Sequence, residues 1–410
     1  MKNTTNINSC EVCNGTNLKS VLNLGFHPLC DDLVPVNRPE VCAEYPIEIL
    51  YCSDCNTAHQ SCQVEKKLLF PRTYHYRARF TVDVLDGMAE FVDACEVRLG
   101  SLSGKKVLDI GCNDGSLLGF FKKKGATTIG LEPTDAILDA EHNANFLYKD
   151  FFDKASAKKI LSDHGSPDII TFTNVFAHIE DLNGLLESLS MIMSPTTILV
   201  VENHYLGSIL KNSQFDTFYH EHPRTYSLSS FQKIAKKMSL NILSTEFPAR
   251  YGGNIRVFIG NTPINNISSG NSIEDILKKE DQFENELISM HANMQKWKDA
   301  KNKEISDLVK KFGPLKGKAF PGRAAIFIKL LGLDETSIDC VYEKPGSMKI
   351  GHYLPGTRIP IKSDDELFAL PESPPVIINM AWHISAEIHA FLKKKGFNGE
   401  IIDIYDPNWN

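Results

Sequence analysis

The twelve residues Phe215–Tyr226, FDTFYHEHPRTY, gather proton-handling side chains at unusual density: Tyr219, His220, Glu221, His222 and Tyr226. An imidazole gives or takes a proton near neutral pH, and a neighbouring carboxylate orients it. A phenol donates a hydrogen bond to an oxygen that is gaining negative charge. Such a set suits a general base working beside a carbonyl or a hydroxyl. Any one of these histidines reads equally well as a packing residue, but the set together points to a site.

A second cluster of chemistry-bearing residues lies upstream. Lys105–Asp114 reads KKVLDIGCND, an apolar strand running straight into Gly111, then Asn113, Asp114 and Gly115, with a helix expected to open near Ser116. Glycine at that turn lets a ligand approach the backbone, and open α/β sheets bind ligands at such strand ends. The third glycine of the dinucleotide fingerprint is missing, which disfavours NAD. The next strand, Thr127–Leu131, ends at Glu132, placed to accept both hydroxyls of a ribose. Asp150 follows a third segment and reads either as an adenine contact or as a helix cap. Asn174 follows a fourth strand, and a fifth runs from Thr197 to Glu202, just ahead of the histidine-rich segment. The glycine loop and the acidic strand end resemble the S-adenosylmethionine-dependent methyltransferases. That resemblance makes Asp109, Gly111, Asn113, Asp114, Glu132, Asp150 and Asn174 the candidate cofactor contacts.

At the front, Cys10/Cys13 and Cys52/Cys55 form two C-x-x-C pairs. Paired knuckles are the usual source of four thiolates for a tetrahedral zinc, and a four-thiolate site leaves no open position, so the expected role is structural. Cys30, Cys42 and Cys62 read as small buried side chains, and His27 is a less favoured ligand.

These residues need elements to hold them. Short apolar runs alternate with helical patterns across the middle of the chain, which implies a doubly wound parallel sheet. Glu274–Phe312 is charged and helically periodic and reads as a connecting spacer. Beyond it, alternations ending in VIINMAWH and EIIDIY suggest a smaller α/β domain. The chain has 410 residues, enough for two to four domains at roughly 100–200 residues each. Expected boundaries are 1–70, 71–265 and 266–410. The net charge of −7 with scattered basic residues gives no reason to expect nucleic acid. No run approaches the ~18 apolar residues of a membrane helix, and the polar start MKNTTNINSCEVC lacks the apolar core of a leader, so a cytoplasmic location without membrane contact is expected.

The combination of paired knuckles, VLDIGCNDGSLL, NVFAHIEDL, FDTFYHEH, YGGNIRVFIG and YEKPGSMKIGHYLPGTRIPI resembles the sugar C-methyltransferases over nearly the whole chain. The resemblance implies a zinc-binding N-terminal domain, a central Rossmann-like methyltransferase domain and a C-terminal Rossmann-like domain. It also implies a nucleotide-linked 4-keto-deoxysugar methylated at C3, and it leans towards a monomer. His222 then matches the base that removes the C3 proton, accompanied by Tyr219 and Glu221. His178 matches a second active-site histidine. Tyr76 matches a tyrosine near the sugar, with Tyr74 competing for that place. Where the family has serines after its Tyr-x-Tyr, this chain has Arg77-Ala78-Arg79-Phe80, which makes Arg77 a candidate fork for phosphate or carboxylate. In the rear domain Arg323 is the candidate phosphate contact and Tyr353, in a turn-rich loop, a further substrate contact. Trp382 is placed either to stack on a base or simply to pack. Two other readings stay open: a sugar O-methyltransferase with the same base, and a non-catalytic module that kept the cofactor fold.

Overall fold

Continuous apolar runs too short for helices become strands when both faces can be covered. The computed structural model describes residues 3–265 and 272–407. In it, five such runs pair in parallel: β1 Lys106–Ile110, β2 Thr127–Leu131, β3 Phe146–Tyr148, β4 Ile169–Thr173 and β5 Ile198–His204. Two antiparallel strands, β6 Asn241–Glu246 and β7 Asn254–Gly260, complete a sheet of order β3-β2-β1-β4-β5-β7-β6. The YGGNIRVFIG run thus supplies β7, which lies between β5 and β6.

Alternate residues of each strand serve opposite faces. Val107, Ile169, Ile198 and Val200 pack with Phe91, Val92 and Cys95 of helix α1, Val82–Leu99, and with Phe121 of α2, Ser116–Lys123. Leu108, Ile110, Ile170, Phe172, Leu199 and Val201 face the other way. They meet Ile160 of α3, Lys154–His164, Leu185 and Leu189 of α4, Leu182–Ile192, and Phe231 and Ile234 of α5, Leu228–Lys237. Capping boxes start two of these helices. The Asp153 side chain accepts from the Ala155 and Ser156 amides, and Ser227 accepts from Ser230. Cys10, Val12, Cys52 and Cys55 are buried in this second core as well, so the knuckles share packing with the sheet.

The chain divides into two compact units, each drawn from separate stretches of sequence. The first comprises Met1–Lys19, Leu50–Ile209 and Glu221–Glu284; the second comprises Ser20–Ile49, Leu210–His220 and Asn285–Asn410. The second unit has its own five-stranded sheet: β8 Leu315–Lys318, β9 Ile338–Glu343, β10 Ile361–Ser363, β11 Val376–Asn379 and β12 Glu400–Asp403. All pairings are parallel and the order is β10-β9-β8-β11-β12, so the small α/β domain expected at the rear is present.

The segment read as a spacer forms two helices, α6 Ile273–Glu280 and the 30-residue α7 Phe283–Phe312. The second is not a mere connector. Leu287, Met290, Met294 and Trp297 recur at helical spacing and are buried. The Trp297 ring lies 5.1 Å from Phe215, 5.2 Å from Phe327 and 5.9 Å from Tyr405, and its Nε1 donates to the Ile404 carbonyl at 3.3 Å. Among the described residues no helix is long and apolar enough to cross a membrane. Trp297→Ala removes the centre of this aromatic cluster and should cost about 3–5 kcal/mol, read as a lowered midpoint in denaturant unfolding of the second unit.

Candidate active site and metal centre

Parallel strands bring their C-terminal ends to one edge, and the candidate cofactor residues gather there. Gly111 follows β1 with φ +74°, and a Cβ added to it would lie 2.6 Å from Val175 Cγ1, so only glycine fits the turn. Asn113 and Gly115 also take positive φ, and Ser116 then opens α2. Glu132, one residue past β2, is buried. Its carboxylate accepts from the Asn113 amide at 3.1 Å and from the Thr134 amide and hydroxyl at 2.9 and 2.6 Å. Asn174 follows β4 with φ +54°; its amide donates to the Glu202 carbonyl at 2.7 Å. Asp109 is inside the sheet and accepts from the Thr171 hydroxyl at 2.7 Å. Asp150 is exposed, and its carboxylate accepts only a local bond, from the Phe151 amide. It is not the helix cap, because Asp153 holds that place.

The YHYRARF segment lies across this loop. Asn113 accepts from the Ala78 amide at 3.1 Å and donates to the Tyr76 carbonyl at 3.2 Å, while Asp114 accepts from the Arg79 amide at 2.8 Å. Arg77 is buried. Its Nε donates to Asp139 at 2.9 Å and one terminal nitrogen donates to the Tyr74 and Tyr76 carbonyls at 2.7 and 2.8 Å. The carboxylate that this fork meets is therefore the chain's own. Tyr76 is exposed, whereas the half-buried Tyr74 donates its hydroxyl to Glu221 at 3.0 Å.

That bond leads to a cluster of rings. His222 and Glu221 are buried. The His222 ring lies 4.8 Å from His178 and 5.5 Å from His204, and Phe70 lies 5.2 Å from His178. Burial holds the His178 imidazole down at about 4, against opposing hydrogen bonds with the Glu221 and Asn174 backbone, so it is neutral at neutral pH. Its Nδ1 has no hydrogen-bond partner among the described residues. His204 escaped the sequence reading. Its signal was its place as the last residue of β5, at the sheet's ligand-bearing edge.

The remaining expected residues belong to the second unit, which the chain enters at Leu210 and leaves after His220. Tyr219 is half-buried there. His220 is buried, donates from Nε2 to the Tyr45 carbonyl at 3.1 Å, and is likewise held at about 4 by burial. Arg323 is buried; its Nε and one terminal nitrogen donate to Asp216 at 2.6 and 2.8 Å and the latter also reaches the Thr217 hydroxyl at 2.7 Å. Trp382 donates to the same Asp216 at 2.9 Å and is buried, which favours packing over base stacking. The Tyr353 hydroxyl accepts from the Asn37 amide at 3.3 Å. Glu343, unremarked in the sequence, ends β9 and accepts from the Phe320 amide at 2.6 Å, repeating in this unit the arrangement of Glu132 and Asn113.

The four knuckle sulfurs all lie within 4.8 Å of one another, with Cys10–Cys55 at 3.4 Å and Cys13–Cys52 at 3.5 Å. A tetrahedral four-thiolate zinc with Zn–S near 2.3 Å needs sulfurs about 3.8 Å apart, so the residues fit that ion. Backbone amides of Cys13 and Gly15 point at the Cys10 and Cys13 sulfurs, both at 3.4 Å. His27 is in the second unit, bonded to the Leu24 carbonyl at 2.9 Å, and takes no part.

Three family models match in succession: a zinc binding domain over residues 10–70, a methyltransferase domain over 83–245 and a C-methyltransferase C-terminal domain over 249–402. Between them they leave only short stretches unmatched. The C-methyltransferase NovU of Streptomyces niveus is 25% identical over 389 residues, 93% of this chain and 91% of its own. This is an S-adenosylmethionine-dependent methyltransferase. A ubiquinone biosynthesis O-methyltransferase of Rhodopseudomonas palustris (strain BisB5) is 30% identical over 104 residues, covering 25% of this chain and 41% of that protein.

The methyltransferase carries zinc in its knuckles and takes S-adenosylmethionine as cofactor. The Gly111 turn admits close approach, and Glu132 stands at the second strand's end. Electrostatics in the sheet beneath are those of a dry site. Burial, with Glu132 nearby, raises the Asp109 carboxyl to about 7 despite the Thr171 bond. The folded chain therefore holds a proton there that the unfolded chain releases near its ordinary value of 3.8. Stability from this group is largest in acid and falls as pH rises towards and through 7. Asp109→Asn should flatten the decline of the thermal midpoint between about pH 4 and pH 7. Because the knuckles share the sheet's core, stripping zinc with a chelator should lower the unfolding midpoint of the first unit as well as release the metal, as followed by calorimetry and metal analysis.

Proposed function

We propose that this methyltransferase methylates C3 of a nucleotide-linked 4-keto-deoxysugar through an enolate. The observation that carries the reading is the cluster of His222, His178 and His204 beside the Tyr74–Glu221 bond, held in the same unit as the cofactor loop. Similarity to NovU over nearly the whole chain supports carbon as the acceptor.

Carbon accepts a methyl group only once it is nucleophilic, and a proton next to a ketone becomes acidic when the enolate oxygen is stabilised. His222 is the base in this reading. Glu221, restrained by Tyr74, orients the segment that carries it. His178 is neutral, so it has a single ring proton to donate towards the oxygen that gains charge. Bound S-adenosylmethionine supplies the electrophilic methyl group. Tyr76 is retained as a residue near the sugar, while Arg77 serves to hold the 74–79 segment instead of touching substrate.

The test is incubation with S-adenosylmethionine and nucleotide-linked 4-keto-6-deoxysugars in deuterated water, followed by mass spectrometry. Wild type should exchange the hydrogen next to the ketone and then gain one methyl on carbon. His222→Ala should lose both, by a factor on the order of 100 or more. Methyl gain without exchange would move the acceptor to oxygen. Tight cofactor binding without turnover of any keto sugar would discard the substrate class.

A further inference from the structure

Arg224 stands two residues beyond His222 and is fully buried. Such a charge is tolerated only when its donors are satisfied. One terminal nitrogen bonds the Glu11 carboxylate, the other bonds the Ile179 carbonyl, both reach the Glu180 carbonyl at 3.3 Å, and Nε donates to the Tyr226 hydroxyl at 3.0 Å. Its backbone is fixed too, since Arg224 pairs antiparallel with His59. Ile179 and Glu180 directly follow His178. One guanidinium therefore ties the backbone beside His178 to the backbone beside His222.

The anchor of this guanidinium is unusual. Glu11 lies between Cys10 and Cys13, inside the first zinc knuckle. Gln63 donates to the same carboxylate oxygen at 2.7 Å, and His59 Nδ1 lies 3.8 Å from it. Glu11 is thus held by both Arg224 and Gln63. Its position in turn depends on the two cysteines that flank it.

We propose that Arg224, anchored by Glu11 of the zinc knuckle, is a positioning residue that sets the spacing of His178 and His222, so that a filled zinc site is a condition for a competent base. The catalytic part of this statement rests on the reading of His222 as base; the geometric part does not. Arg224 touches neither ring. It acts through the peptides on either side, which is where a change in side-chain length would be felt.

The experiment uses full-length, zinc-loaded protein with Arg224→Lys and Glu11→Gln. Histidines are labelled at Cε1 and assigned with His178→Gln and His222→Ala, and the ring-to-ring contact between His178 and His222 is read by NMR. In both variants zinc stoichiometry should be unchanged and S-adenosylmethionine should bind within about twofold of wild type, while the ring contact weakens. Hydrogen exchange next to the ketone should fall about tenfold in kcat with KM within about threefold, the split expected of a misplaced base. A merely structural arginine would change the unfolding midpoint and leave contact and kcat alone, and that result overturns the proposal. If Arg224→Lys fails to fold, Glu11→Gln, which keeps the shape of the carboxylate, decides by the same two readouts. If His222→Ala still catalyses exchange, the assignment of the base fails, and the NMR contact still confirms or refutes the strut.

Discussion

The parallel ladder β2-β1-β4-β5 is the constraint on which the first unit depends. Parallel pairing obliges each strand to start at the same edge, so Gly111, Glu132, Asn174 and His204 all emerge at the other. Those four residues are 93 positions apart in sequence at the extremes, yet the register leaves them no other place to go. The antiparallel β7 closes the far side, and its Arg256 makes a buried ion pair with Glu202 of β5 at 2.6 Å, one more charge satisfied inside the sheet.

Burial sets the electrical character of that edge. A neutral His178 beside His222, a carboxyl at Asp109 pushed towards 7 and an anion at Glu11 held near 2 are three answers to one condition. Each group without a close opposite charge gives up its charge, and the one facing a guanidinium keeps it. The arginines follow the same rule. Arg77 meets Asp139, Arg224 meets Glu11, and Arg323 meets Asp216. The guanidiniums of Arg77 and Arg323, candidate substrate contacts in the linear sequence, are internal ties like that of Arg224, because a buried guanidinium must find its carboxylate within the chain.

The second unit applies the sheet logic again on a smaller scale. Its first strand runs into a Gly- and Pro-containing turn, and the residue ending its second strand, Glu343, receives an amide of that turn. Its core is aromatic: Phe215, Trp297, Phe327 and Tyr405 converge from four separate stretches of chain.

Local rules were enough to read the strands, because short buried apolar runs ending in glycine or an acid have few alternatives, and the β1 loop with Glu132 was legible for that reason. Paired knuckles likewise announced a four-thiolate centre, since two sulfurs three residues apart already form half of it. What the sequence did not determine was which polar residue would meet which. Tyr74 instead of Tyr76 reaches Glu221, His204 joins His222 and His178, and Asp216 is consumed by Arg323 and Trp382. Helix α7 packs a core that its charge had hidden, and the knuckles share a core with the sheet they precede by some fifty residues. These pairings are made between stretches far apart in the chain, and only the closing of the tertiary core, where every buried donor needs an acceptor, selects them.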